Sequence, residues 1–186
     1  VKRDGINEEQ LLLCDMDAAC QKDSQRDETL KYSTGYCPPE LARCIFTTNS
    51  KLDKIKTSFD VWSLGVLLYE LCTGQNLFPQ DISNDNIVNE IDKSIICAWH
   101  TISDSYLNLV DFPNNLQMTK NARNLIRWCL KGSPSSRPSL KNILNHRFLN
   151  GNNDSDKHQS MKYHMFISHM QAESSGEVGT LYNALK

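Results

Sequence analysis

The sequence predicts a mainly α-helical domain followed by the opening of a smaller β-α unit. The run S-F-D-V-W-S-L-G-V-L-L-Y-E-L-C-T-G at Ser58–Gly74 is apolar on nearly every side, which is typical of a helix at the centre of a domain. Three further stretches, residues 85–99, 119–131 and 138–146, have helical spacing. After residue 150 a polar linker precedes a strand-like Met-Phe-Ile and a second helix-like stretch.

The central helix has recognisable ends. Ser58 is predicted to cap its first turn, where the carboxylate of Asp60 suits the helix dipole. Gly74 is predicted to end it in the left-handed conformation. The run is shorter than the roughly 20 residues that cross a bilayer, and Asp60 and Glu70 interrupt it. We therefore predict a buried central helix, the hub against which the other helices pack. The carboxylate of Asp60 in its first turn is unusual for such a helix.

The other helices are predicted from apolar spacing and from cap residues. The helix over residues 85–99 is predicted to bury five β-branched side chains, and the next begins at Thr119 and ends at Gly132. Pro138 is predicted to open a last short helix that runs to His146, and another can start just after Pro38. The five are Ile87, Val88, Ile91, Ile95 and Ile96.

Charge and cysteine usage restrict the function classes. The chain has 20 Lys and Arg against 22 Asp and Glu, a net charge of −2, which gives no electrostatic case for nucleic acid or an anionic membrane. Its seven cysteines form no C-x-x-C pair, and several lie in apolar runs. No signal peptide or membrane span is present, so we expect a reducing, cytoplasmic location.

The organisation predicted is one larger domain and the start of another. The chain does not begin with Met and stops inside a helix-like stretch, so we expect an internal piece of a longer protein. Residues 1–150 form the first domain, residues 151–162 are a polar linker, and residues 163–186 open a second domain.

Five motifs in a fixed order resemble the C-terminal lobe of a eukaryotic protein kinase. They are L-C-D-M-D at 13–17, P-P-E at 38–40, D-V-W-S-L-G at 60–65, C-L-K-G-S-P-S-S-R-P-S at 129–139 and H-R-F-L at 146–149. Each is weak alone, and their order and spacing carry the resemblance over residues 8–150. The resemblance implies a helical kinase lobe and phosphoryl transfer from ATP to a protein substrate.

Asp15 corresponds to the first residue of the kinase Asp-Phe-Gly motif. The resemblance implies that its carboxylate binds the Mg²⁺ that bridges the ATP phosphates. Met16 replaces the Phe and Asp17 replaces the Gly, and the second change removes backbone freedom and adds charge beside the metal ligand. Two other interpretations of Asp15 are a strand-terminal cap and one half of a D-x-D metal pair.

Residues 21–34 correspond to the activation loop of a kinase. Ser24 and Thr29 are candidate phosphorylation sites, although solvated loop residues are the common alternative. Ser33 lies three residues before Tyr36, where similar kinases have a Thr that positions the substrate near the catalytic Asp. The stretch lacks the pattern of Tyr-directed kinases, so Ser or Thr hydroxyls of proteins are the expected substrates.

The resemblance also implies three structural residues. Glu40, in the position of the Glu of Ala-Pro-Glu, is expected to form a buried ion pair with Arg137. Asp60 is expected to accept hydrogen bonds from the catalytic loop and to brace it. His146 is expected to be a packing residue.

The catalytic parts of a kinase are missing from these residues. The sequence has no Gly-rich phosphate loop, no matching strand Lys and no H-R-D-x-x-x-x-N loop, and we expect them upstream. These residues alone would then be unable to transfer phosphate. The alternative is a pseudokinase or scaffold with the same fold, an interpretation that Asp17 favours.

The last stretch resembles the start of a Toll/interleukin-receptor (TIR) domain. Such domains begin with a Phe-Ile-Ser strand, a polar loop and a helix, and Phe166-Ile167-Ser168 is followed by a helix-like segment at 179–186. The resemblance implies TIR–TIR contacts or an NAD-cleaving domain that the kinase lobe regulates.

Overall fold

The computed structural model describes residue 23, residues 33–47 and residues 54–150, and these residues form a helical bundle. Two short 3-10 turns, Thr34–Tyr36 and Pro134–Ser136, accompany the α-helices. The helices are α1 (Pro39–Phe46), α2 (Ser58–Thr73), α3 (Glu90–Cys97), α4 (Asp104–Leu107), α5 (Leu116–Cys129), α6 (Leu140–Leu144) and α7 (Arg147–Asn150).

The predicted mainly helical class agrees with this architecture. In the part of the chain that the structure describes, β-structure is limited to a single antiparallel bridge between Gln80 and Ile87. The predicted strand before Asp15 and the predicted β-α unit of residues 163–186 lie outside the described residues. No helix among the described residues has the length and apolar character needed to cross a bilayer.

The start of α2 differs from the prediction, and its end does not. Thr57 precedes the helix and Ser58 is its first helical residue, so the predicted Ser58 cap is wrong. The Ser58 hydroxyl is buried without a hydrogen bond. Gly74 ends the helix with φ 68°, and its N–H donates to the carbonyl of Glu70 at 2.7 Å. Glycine adopts this left-handed conformation without a steric penalty.

The core is centred on the packing of α2 against α5. Trp62 and Val66 of α2 and Leu125 of α5 are completely buried. Gly65 permits the close approach, because a Cβ on it would lie 2.7 Å from that of Cys129. The predicted hub is therefore correct for α5.

Helix α3 is placed differently from the prediction. It packs mainly against α1, and the ring of Trp99, which follows it, contacts Trp62 of α2 edge-on at 5.6 Å between centroids. The helix begins at Glu90, where the Asn89 side chain accepts from Asp92 N–H at 2.8 Å, rather than at residue 85. The predicted buried face is only partly correct, since Ile91 is 73% exposed.

The predicted caps of α5 are wrong at both ends. The helix begins three residues before Thr119, at Leu116, and the Asn115 side chain accepts from Met118 N–H at 2.9 Å. Thr119 is buried inside the helix, where its hydroxyl accepts from Phe112 N–H. Gly132 is not a left-handed cap, because its φ is not positive. Among the described glycines, positive φ occurs at Gly74. The N–H of Gly132 donates to His100 O at 2.8 Å, and this close approach leaves no room for a side chain.

The predicted last helix, residues 138–146, is shorter in the structure, Leu140–Leu144, and a separate helix, Arg147–Asn150, follows it. Ser139 caps α6 by accepting from Asn142 N–H, so the helix begins after Pro138 rather than at it. His146 lies between α6 and α7, partly buried, with its ring 6.4 Å from that of Trp128.

Candidate functional site

The structure brings together Glu40 and Arg137, 97 residues apart in the chain. The two terminal nitrogens of Arg137 donate to the two carboxylate oxygens of Glu40, each at 2.7 Å. The Arg137 side chain has no exposed surface and that of Glu40 is 13% exposed. This is the bidentate arrangement in which arginine and carboxylate geometries match.

Arg137 also holds the surrounding backbone. Its Nε donates to Lys131 O at 2.8 Å, and a terminal nitrogen donates to Ser58 O at 2.9 Å. The guanidinium lies over the indole of Trp62 at 5.2 Å, a cation–π contact. The cluster of Glu40, Arg137 and Trp62, here called the clasp, therefore ties the start of α1 to the start of α2 and to the turn before α6.

The segment before α1 is fixed to the loop between α2 and α3. The hydroxyl of Thr34 accepts from Ile87 N–H at 2.8 Å and lies 3.1 Å from the side-chain oxygen of Asn86. The same oxygen accepts from Thr34 N–H at 3.0 Å. Ser33 lies directly before this turn, and its carbonyl accepts from Tyr36 N–H at 3.1 Å. These bonds fix the backbone that directly follows Ser33.

Tyr36 fastens the same segment to the end of α2. Its hydroxyl donates to Glu70 Oε2 at 2.7 Å, and its carbonyl accepts from the Ser63 hydroxyl at 2.9 Å. Burial raises the pKa of Glu70 to about 7, against the lowering effect of the Tyr36 hydrogen bond. Burial, with the Glu70 charge, also raises the pKa of Tyr36 far above its usual value. The phenol is therefore a donor at every physiological pH.

Asp60 lies in the first turn of α2, beside the clasp. Its side chain forms no hydrogen bond or ion pair with any of the described residues, although burial raises its pKa. The residue is nevertheless exposed to solvent in this part of the chain. Asp60 therefore presents acceptor oxygens at the surface of this bundle.

The remaining predicted site residues lie outside the described residues. These are Asp15, with its implied magnesium role, and the candidate phosphorylation sites Ser24 and Thr29. Within residues 33–47 and 54–150, the structure has no cluster of three or more His, Cys, Asp or Glu side chains suited to a metal ion.

The sequence does not reveal the roles of Glu70 and Asn86, whose side chains hold the segment around Ser33. In the sequence Glu70 is only a charge that interrupts an apolar helix, and Asn86 falls inside a predicted helix. The signal for Glu70 was present, because an acid in a buried helix needs a partner. The partner, Tyr36, lies 34 residues away, and no local pattern indicates that separation.

Comparisons with known proteins identify the family. A model of the protein kinase domain matches residues 5–149. The chain is 31% identical over 132 residues to the "Probable cell cycle serine/threonine-protein kinase CDC5 homolog" of Encephalitozoon cuniculi, covering 71% of this chain and 24% of the relative.

Two other relatives show the same partial coverage. The dual specificity protein kinase Ttk of Danio rerio is 32% identical over 61% of this chain and 10% of its own length. The serine/threonine-protein kinase ATG1 of Debaryomyces hansenii is 28% identical over 76% and 14%. The chain thus spans a quarter or less of these relatives.

Proposed function

Because the chain belongs to the protein kinase domain family, we propose that it is the helical lobe of a kinase that transfers phosphate from Mg-ATP to Ser or Thr hydroxyls of proteins. A protein kinase domain uses ATP and a divalent metal in general. The relatives whose names carry the serine/threonine designation support the hydroxyl specificity, as does the sequence around Ser33.

The observation that carries this proposal is the clasp. Glu40 and Arg137 come from two of the five ordered motifs, and their bidentate pair joins them where a kinase needs a rigid base for its substrate platform. A random pairing of one acid and one arginine 97 residues apart would rarely be bidentate, buried and backed by an indole ring.

Ser33 and its neighbours form the platform in this proposal. Ser33 positions the substrate hydroxyl, and the Thr34–Asn86 and Tyr36–Glu70 hydrogen bonds keep its segment in place. A misplacement of about 1 Å can reduce a reaction rate about 100-fold, so such supports matter to catalysis. Asp60 supplies the acceptor that braces the catalytic loop of the whole protein.

Asp15 is the proposed magnesium ligand, and carboxylate oxygen is the donor that Mg²⁺ prefers. Ser24 and Thr29 are the proposed phosphorylation sites, at which an added phosphate would order the loop through Arg contacts. Asp17 is the residue that favours the alternative, a pseudokinase that keeps the fold for protein contacts.

The test is phosphate transfer by the full-length protein from labelled ATP to paired peptides that differ only in Ser, Thr or Tyr at the acceptor position. Asp15→Ala is expected to lower transfer about 100-fold or more. Asp104→Ala, which removes an exposed carboxylate of α4, is the control and should retain activity. Equal transfer by wild type and Asp15→Ala contradicts the magnesium role, and no transfer by the wild type favours the pseudokinase.

The proposed second domain is independent of the kinase assignment. Residues 163–186 are proposed to open a TIR-like domain that the kinase lobe regulates, on the strength of the Phe166-Ile167-Ser168 pattern. Self-association or NAD consumption by the full-length protein, lost on deletion of the sequence after residue 162, would agree with it. Wild-type protein that is monomeric and inert toward NAD would contradict it.

A further inference from the structure

A groove of about 650 Å³ lies between the outer face of α5 on one side and α6, the start of α7 and the turn that joins them on the other. Four asparagines line it, two from each side: Asn121, Asn124, Asn142 and Asn145. The groove lies outside the set of residues that build the clasp and hold Ser33. We call it the amide groove.

The amide groove offers hydrogen-bond donors. His146 Nδ1 accepts from Phe148 N–H at 3.2 Å, so the ring proton is on Nε2, which donates to Asn124 Oδ1 at 3.0 Å. Burial lowers the pKa of His146, which favours this neutral form. Asn121 Oδ1 is likewise occupied, by Gln117 Nε2 at 2.9 Å. Both amides keep their N–H groups unpaired among the described residues, and these groups match acceptor oxygens.

The amide groove carries positive charge. Lys120 and Arg147 line the amide groove, and no acidic side chain does. In the described part of the chain, neither cation lies within ion-pair distance of a carboxylate. A ligand with negative charge would therefore meet two cations without an internal competitor.

Aromatic rings form the base of the amide groove. Trp128 is half-buried, and its ring lies 6.4 Å from that of His146 at 57°. Such a surface accepts an apolar side chain or a flat peptide unit. Most side chains around it are exposed, so the amide groove is open, whereas small-molecule sites are concave, mostly apolar and enclose their ligand.

We propose that the amide groove binds an extended, anionic peptide segment of a partner protein. Side-chain amides pair with the N–H and C=O groups of an extended backbone. Lys120 and Arg147 select carboxylate or phosphate side chains of the peptide, and Trp128 takes one apolar residue. This docking would occur away from Ser33, so it would recruit a protein without occupying the platform.

The experiment measures binding to the full-length protein by fluorescence anisotropy. Four labelled probes share one 12-residue Ser/Gly/Leu frame and carry three Glu, three phosphoserines, three Gln or three Lys. We expect the Glu and phosphoserine peptides to bind at least ten-fold more tightly than the Gln peptide, and the Lys peptide not to bind. A tighter phosphoserine peptide identifies a phosphorylated partner, and equal affinities identify an acidic one. Binding of all four alike overturns the proposal.

Variants locate the binding. Lys120→Glu with Arg147→Glu should weaken the Glu peptide at least ten-fold, and Asn124→Ala about three-fold. Lys120→Glu alone should weaken the Glu peptide more than three-fold, whereas Lys141→Glu, which makes the same single charge reversal on α6 outside the amide groove, should change affinity less than two-fold. Equal losses for both reversals would mean unspecific attraction and overturn the proposal. Inorganic phosphate and AMP serve as competitors, and displacement of the peptide by either at micromolar concentration would show a small-anion site instead.

Discussion

Among single residues, Arg137 has the largest predicted effect on stability. Its guanidinium donates to Glu40 and to three backbone carbonyls, and its side chain has no exposed surface. Removing one partner of a buried pair leaves the other charge uncompensated, which costs about 3–5 kcal/mol. We predict that Arg137→Ala lowers the free energy of unfolding by that amount, and that Arg137→Lys recovers only part because Lys is not bidentate.

The control for Arg137 is Arg127, whose ion pair with Asp104 has side chains 46% and 81% exposed. Arg127→Ala should cost less than about 1 kcal/mol, since surface pairs contribute little. Urea unfolding of the three variants measures the difference. Similar losses at both arginines would show that the clasp is not a stabilising centre.

Glu70 makes a prediction about pH. Its pKa rises from 4.5 in water to about 7 in the folded protein, chiefly by burial, with the nearby Asp85 charge adding to the rise. Between these values the folded protein holds a proton that the unfolded chain has released. The free energy of unfolding should therefore fall as pH rises through this window, by up to about 1.36 kcal/mol per pH unit.

Two variants test the Glu70 prediction. Glu70→Gln should remove this fall between pH 5 and pH 7. Tyr36→Phe deletes the hydrogen bond that lowers the pKa of Glu70, so the fall should extend to higher pH. Urea midpoints measured from pH 5 to pH 8 provide the data. Curves for Glu70→Gln and wild type that run parallel would mean that another group titrates.

At the scale of elements, the existence of the helices was predictable and their ends were not. The spacing of Leu125, Ile126 and Cys129 indicated α5 correctly, because a buried stripe is a local pattern. Its start was placed at Thr119, since Thr is a good cap, yet Asn115 does the capping and Thr119 bonds to Phe112. Cap residues compete, and tertiary contacts decide which one is used.

Helix α3 shows the same limit. Five β-branched residues suggested a helix from residue 85, but Asn86 is held by Thr34, 52 residues away, and Ile87 pairs with Gln80. The helix can begin only after those contacts, at Glu90. A contact across that separation leaves no trace in local periodicity.

The junction after α5 carries a prediction at this scale. A Cβ on Gly132 would lie 2.2 Å from Trp99 O. Trp99 cannot easily move away, because its Nε1 donates to Leu130 O, at the end of α5, at 2.9 Å. We predict that Gly132→Ala costs about 1–3 kcal/mol or more of unfolding free energy. Gly74→Asn is the control and should cost less than about 1 kcal/mol, since Asn tolerates φ 68°. A neutral Gly132→Ala would mean that the junction can open.

For the whole molecule, the ordered motifs predicted the kinase family where single elements could not. The order of the motifs predicts the pairing of Glu40 with Arg137, because motif order reflects the topology of the family, and the structure contains that pair. The platform supports, Tyr36 with Glu70 and Thr34 with Asn86, were not predicted, because neither pair belongs to the motifs that were compared. Family resemblance transfers only the residues that match.

Asp60 is the proposed link between this lobe and the catalytic loop of the whole protein. Among the described residues nothing donates to its carboxylate, and the residue is exposed there, so its charge stabilises this part of the fold little or not at all. If Asp60 braces the catalytic loop, Asp60→Asn should leave the unfolding midpoint equal or higher and still reduce kcat of the full-length protein, with KM for the peptide little changed. Asp104→Asn, on the exposed face of α4, should change neither quantity appreciably. A clear loss of stability in Asp60→Asn without a fall in kcat would place the carboxylate in the fold rather than in the reaction, because a structural acid stabilises the lobe whether or not phosphate is transferred.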